Sequence, residues 1–279
     1  MIDIAESFIE LSTRERAAAI LDPSSAREIL GPFDRIESPW LEMQGVVPES
    51  DDGTVVVRGT IDSVSAVLIG IVGAFQGGGT GEVSGAKIAG SLDLALRDAE
   101  RGTPTRAVLL LESGGVRLQE ANLGLAAMAD VHASIVALRR YVPVVGIIAG
   151  MVGCFGGMSI AAALCSCLIM TRQGRLGLNG PQVIESNAGV AEFDALDQRL
   201  IWAVDGGEQR FRSGLIDALV PDDRSALRGA VLAAFARGVP NRHRSAAVRE
   251  YTTALATLGV SQQLEPSDVR RVLAEAMPA

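Results

Sequence analysis

Three glycine clusters, Gly77-Gly78-Gly79, Gly114-Gly115 and Gly156-Gly157, each follow a short apolar run and precede a stretch of helix-spaced apolar residues. An apolar strand, a glycine turn and a helix, repeated along one chain, make a parallel sheet with helices packed outside it. The runs predict strands at 54–60, 64–73, 107–111, 142–148, 167–171 and 216–220, with a short strand at 176–178. Helices are predicted at 83–100, from the 112–116 loop to 140, and from 157 to about 166. Two strands precede a helix more than once, which suggests a spiral of ββα units; periodicity alone leaves a doubly wound sheet open.

Residues 1–50 read as a helical and then irregular extension. Ser12 and Glu15 form a capping box there, and Pro32, Pro39 and Pro48 break the chain beyond that helix. Residues 51–222 form the α/β domain, entered through a turn at Asp51-Asp52-Gly53. Residues 223–279 read as an appended helical arm with helices at 225–237, 245–258 and 266–276.

Loops at the carboxyl ends of parallel strands are where α/β proteins bind ligands. A helix N-terminus there offers free N–H groups and a partial positive charge, suited to an anion or oxyanion. Tight turns are the alternative reading of each cluster alone. Gly77–Gly81 lacks a following Lys-Ser/Thr, so it is not a P-loop, and no dinucleotide fingerprint is present.

Side-chain catalysts are scarce. His132 and His243 have no metal spacing and read as structural, and no metal site is expected. A dyad of Lys87, the only lysine, with Ser113 or Ser159 is one alternative. Cys154, Cys165 and Cys167 sit in one apolar stretch with no CxxC, which suits a reduced, cytoplasmic protein. A net charge of −8 argues against nucleic acid. Uncharged runs at 63–81 and 141–170 are long enough for membrane spans, but Pro143 and repeated glycines favour a buried strand and helix, so no membrane partner is expected.

Four stretches carry a resemblance: FQGGGTGEVSGAKIAGSLDLAL (75–96), ESGGVRLQEA (112–121), GMVGCFGGMSIAAAL (150–164) and RLGLNGPQVIES (175–186). In this order they resemble the acyl-CoA-binding carboxyltransferase half of acyl-CoA carboxylases. The family's Ser-Gly-Gly-Ala-Arg-Met-Gln-Glu motif stands here as Ser113-Gly114-Gly115-Val116-Arg117-Leu118-Gln119-Glu120. The absence of a zinc ribbon, room for one such domain, and LNGPQVIE followed by AGVAEFDALDQRLIW (188–202) resemble the β subunits of malonate decarboxylases.

That resemblance implies a crotonase-like (ClpP/crotonase) ββα spiral acting on malonyl thioester. It implies three partners: a γ subunit in a heterodimer, an acyl carrier protein bearing a phosphopantetheine-type prosthetic group, and an acyl-carrier transferase subunit. No cofactor is expected on this chain. Backbone donors in 114–116 (Gly114, Gly115, Val116) and at Gly156 and Gly157 are the expected catalytic groups, holding the enolate left by CO2. Gly78, Gly79, Arg117, Gln119, Cys154 and Phe155 are the expected substrate contacts, with Arg58, Arg97, Arg172 or Arg175 offered to phosphopantetheine or the carrier. No biotin attachment motif is present, so biotin-independent decarboxylation is the primary expectation. The alternative is carboxyl transfer between malonyl thioester and carrier-bound biotin.

Overall fold

A computed structural model describes residues 6–45, 53–120, 122–259 and 264–276. Asp51, Asp52, Pro48 and the rest of the 46–52 segment lie outside them. The sheet grows from a hairpin. Strands β2 (Thr54–Ile61) and β3 (Val64–Ile71) pair antiparallel across Asp62-Ser63. Both turn residues have positive φ (51° and 62°), which suits the right-handed twist of a two-residue hairpin. β1 (Arg27–Ile29), too short to read from the sequence, adds antiparallel at the β2 edge.

From β3 the sheet continues in parallel through β5 (Arg106–Leu110), β7 (Val144–Ile148), β8 (Cys167–Thr171) and β9 (Ala218–Val220). Its strands are apolar on both faces because both are covered. On one face Val67, Ile69, Leu109 and Val144 pack against helices α2 (Glu82–Glu100), α3 (Asn122–Leu138) and α4 (Gly157–Leu164). The alternate residues Leu68, Val108, Val145 and Ile169 face the other way. They are covered by Phe8, by α1 (Thr13–Ile20) and by α8 (Arg224–Arg237).

This second face corrects the expected division of the chain. The helix expected at 225–237 as the start of an appended arm puts Leu227 and Val231 into the main core at 0% exposure. Apolar residues at helical spacing had nowhere else to be buried. Of the expected arm, α9 (Val248–Leu255) and α10 (Pro266–Ala276) pack around a small separate cluster of Ala254, Val272 and Leu273. The helix expected at 245–258 opens as a 3-10 turn, Arg244–Ala247. The Ser12–Glu15 capping box forms as expected.

Beside the main sheet runs a second, minimal one. β4 (Gly79–Thr80) pairs parallel with β6 (Gly115–Val116), and single bridges join Ser113 to Cys154 and Cys154 to Leu176. β3, β5 and β7 are thus each followed by a short extended piece in a second layer and then a helix: β3–β4–α2, β5–β6–α3, β7–Cys154–α4. This is the expected ββα spiral. The uncharged runs become β3, β7 and α4, and among the described residues no helix is long and apolar enough to cross a membrane.

Asp22, just after α1, ties the hairpin down. The Ser63 amide, the Thr60 hydroxyl, the Asp62 amide and Arg228 hold its carboxyl well below the usual aspartate range. Stability gained this way is present above about pH 4, where a free aspartate is ionised, and is lost as the pH falls toward the depressed folded value. Asp22→Asn is therefore expected to be less stable than wild type at pH 7, with the gap shrinking at acid pH. Urea midpoints for both proteins at pH 7 and pH 3 measure this, and an equal gap at both would refute it.

Candidate active site

The glycine clusters converge where the two layers meet. Gly115 (φ 121°) and Gly156 (φ 59°) lie back to back: a Cβ on Gly156 would fall 2.8 Å from the Gly115 Cα. Only glycines pass this closely in such conformations. Hydrogen bonds then decide which amides remain available. Gly114 N–H donates to Gly77 O (2.9 Å), Gly115 N–H to the Ser113 hydroxyl (3.1 Å) and Gly156 N–H to Leu178 O (2.8 Å). Three of the five expected backbone positions therefore hold the loops together, and their amides are engaged.

Two amides are left at the junction. Arg117 N–H donates to Thr80 O, and Thr80 is the residue opposite Val116. The ladder bonds thus fall on Thr80, and the Val116 amide turns away from β4 toward the Gly156 side. A Cβ on Gly156 would lie 3.8 Å from Val116 N. Gly157 occupies the first turn of α4, where N–H groups have no intrahelical partner, and its amide has none among the described residues. A Cβ on Gly157 would lie 3.7 Å from Val116 Cγ2, so the two residues adjoin. The helix dipole of α4 adds positive potential at this point.

The rest of the Ser113–Glu120 motif is scaffold. Ser113 is fully buried, and its hydroxyl donates to Gly78 O at 2.7 Å. Lys87 donates to Thr54 O and Ser159 to Gly156 O. Each member of the alternative Ser/Lys dyad is thus engaged by a backbone carbonyl. Arg117, expected to touch substrate, is buried instead: it pairs with Glu120 at 2.7 Å and donates to Gly79 O at 3.0 Å. Glu120 in turn accepts the Glu82 amide at the start of α2.

Gly78 is itself buried against the Glu112 carbonyl, Gly79 is half-buried and Gln119 is exposed at the surface. The Cys154 and Phe155 side chains are buried as well, so a substrate contact from them falls to the backbone. Burial pushes the Cys154 thiol far up, and that of Cys165 up to about 12, which makes both poor nucleophiles. His132, read as structural, bonds through Nε2 to Gly157 O at 2.9 Å. It thus abuts the candidate site, although a single histidine in a helical run carries no signal for this in sequence.

A cleft of about 530 Å3 opens nearby, with Met151, Gln173, Arg175, Gln182, Leu196 and Trp202 in its wall. The Arg175 guanidinium lies 4.9 Å over the Trp202 ring and 5.8 Å over Phe155, and donates to Met151 O at 2.5 Å. Its burial lowers its pKa. Arg58, considered for the same anionic contact, pairs with Asp98 at the sheet edge. Among the described residues no group of His, Cys, Asp and Glu is placed to hold a metal ion.

No protein-family model matches the chain. The chain is 37% identical to the malonyl-S-ACP:biotin-protein carboxyltransferase of Malonomonas rubra, over 97% of this chain and 89% of that protein. It superposes on a subunit of a Pseudomonas malonate decarboxylase hetero-tetramer in complex with malonate with a TM-score of 0.91 and 59% identity. That match covers 96% of this chain and 97% of the other. A chain of the Pseudomonas malonate decarboxylase MdcD–MdcE hetero-dimer matches at TM-score 0.77 and 55% identity, covering 90% and 96%. With the ββα spiral and the paired glycine loops in place, these likenesses settle the family: the chain belongs to the crotonase-like carboxyltransferase subunits of the malonate decarboxylase enzymes.

Proposed function

We propose that this chain is the β subunit of a biotin-independent malonate decarboxylase. It takes malonyl thioester from an acyl carrier protein and stabilises the enolate formed when CO2 leaves. The observation that carries this reading is the pair of adjoining amides, Val116 and Gly157, left available where those of Gly114, Gly115 and Gly156 are engaged. Breaking the bond to the carboxylate pushes an electron pair into the thioester, and the oxygen of that group takes the charge. Backbone donors fixed in advance stabilise it without reorganisation. A proton then converts the enolate to acetyl thioester.

The proton donor and the group holding the carboxylate are assigned to a γ subunit partner, in keeping with the hetero-oligomeric Pseudomonas assemblies. The thioester arrives on the carrier's phosphopantetheine-type arm, loaded by an acyl-carrier transferase subunit. Arg175 in its cleft is the cation best placed for the arm's phosphate.

The test is Val116→Pro in the assembled complex, which deletes one of the two amides. Turnover of malonyl thioester is expected to fall by roughly 100- to 1000-fold with assembly retained. Near-wild-type turnover in assembled enzyme would remove Val116 as a donor. A second reading is carboxyl transfer to a biotin protein, favoured by the Malonomonas relative's activity. Excess avidin separates the two: decarboxylation by the complete complex is expected to persist, and abolition by avidin would establish the biotin route.

A further inference from the structure

The proposed chemistry puts no charged side chain of this chain at the reacting atoms, yet one ion pair lies buried directly before the oxyanion loop. Arg16 on α1 donates from Nη1 to Glu112 Oε2 at 2.8 Å, and the two residues are 7% and 8% exposed. Further guanidinium bonds go to Phe8 O (Nε, 3.0 Å) and Ile9 O (Nη2, 2.6 Å), so each of the three nitrogens has an acceptor. Asp222 in turn accepts the Phe8 and Ile9 amides, which holds that segment in place.

Glu112 is where three strand-end loops meet. Its Oε1 fills the place a side chain at Gly150 would take: a Cβ there would lie 1.2 Å away. Its Oε2 lies 3.3 Å from the position of a Gly73 Cβ, and its carbonyl oxygen 2.0 Å from that of a Gly78 Cβ. The loops after β3, β5 and β7 are therefore packed on this one residue. The next residue, Ser113, exchanges bonds with Gly153 O and Phe155 N–H, coupling the 113–116 loop to the 153–157 loop.

Stability does not explain such a pair. Replacing a buried ion pair with apolar groups of similar volume is often neutral or stabilising, because desolvation offsets the attraction. Directional bonds do offer placement that apolar packing does not. We propose that Arg16–Glu112 is a positioning pair. It fixes the strand-end loops so that the Val116 and Gly157 amides stand in register for one oxyanion. This rests on the oxyanion reading of those amides given above.

The experiment is the double variant Arg16→Met/Glu112→Leu, purified with its partner subunit and assayed with malonyl-acyl carrier protein. Assembly and thermal midpoint are expected to stay near wild type, since no charge is left unpaired. Misplacing catalytic groups by about 1 Å costs on the order of 100-fold in rate, so kcat should fall by roughly 10- to 100-fold with KM within about twofold. A merely structural pair would leave kcat per assembled enzyme unchanged, and that result overturns the proposal. So does a raised KM with unchanged kcat, which marks lost ground-state binding.

If the double variant does not assemble, Glu112→Asp carries the same expectation: the charge stays but is drawn back by one methylene, and wild-type kcat in it overturns the proposal. Wild-type kcat in these variants beside an inactive Val116→Pro removes the positioning role alone. An active Val116→Pro removes Val116 from the oxyanion reading beneath it.

Discussion

Gly157→Pro is expected to lower kcat by roughly 100- to 1000-fold, the loss seen on removal of one oxyanion donor and equivalent to about 2.7–4 kcal/mol of transition-state stabilisation. The substitution is unusually clean at this position. Gly157 is the first residue of α4, where proline is favoured because its missing N–H had no helical partner. The added ring carbon would meet Met128 Cγ at 3.2 Å and Val116 Cγ2 at 3.7 Å, and methionine adapts to such a contact at small cost. Gly157→Ala makes the same contacts and keeps the N–H, so it should retain activity within a fewfold of wild type. The comparison isolates the amide. Assembled Gly157→Pro with the turnover of Gly157→Ala would show that this N–H does not reach the developing charge.

Gly78→Ala should be the most damaging single-methyl change in the loops. A Cβ there would sit 2.0 Å from the Glu112 carbonyl oxygen and 2.9 Å from the Ser113 Cα. Both are backbone atoms, so no side-chain rotation relieves the clash. The residue's φ of 69° adds about 1–2 kcal/mol for any L side chain. With overpacking at about 1–3 kcal/mol, the total is about 2–5 kcal/mol, a large share of a typical domain's stability. The neighbouring Gly77 shares the conformation (φ 63°), but a Cβ on it would meet nothing within 4 Å. Gly77→Ala should therefore cost only the backbone term. Thermal midpoints of the two variants measure the difference, and equal losses would mean the loop rearranges to admit the methyl.

The strands and helices of the parallel sheet were legible because their signals are local, whereas the choice of a spiral over a doubly wound sheet came through the motif resemblance. β8 falls on residues 167–171 and α10 on 266–276, as read, since apolar runs and helical spacing survive without knowledge of neighbours. The convergence of the glycine loops was legible only through the motif resemblance. Which amides in them are available was not, because that depends on acceptors such as Leu178 O and Gly77 O brought in from other turns of the spiral. The setting of Arg117 was hidden for the same reason, since its burial depends on Glu120 and the Gly79 carbonyl being placed around it. Arg16 is harder still to read. Its partner lies 96 residues away, and nothing near either residue announces the pair.

The way the two ends of the α/β domain close on each other bears on how the chain folds. Asp222 accepts the Phe8 amide across 214 residues, and α1 and α8 share one face of the sheet. Contacts of such sequence separation slow folding, because chain entropy is lost before they form. Val55, Leu68, Val108 and Ile147 are all synthesised long before Leu227, Val231 and Phe235, which complete their cover. That face therefore stays open on the nascent chain until α8 has left the ribosome. It is the surface where a holdase chaperone is expected to bind, and where aggregation should begin when synthesis outpaces folding.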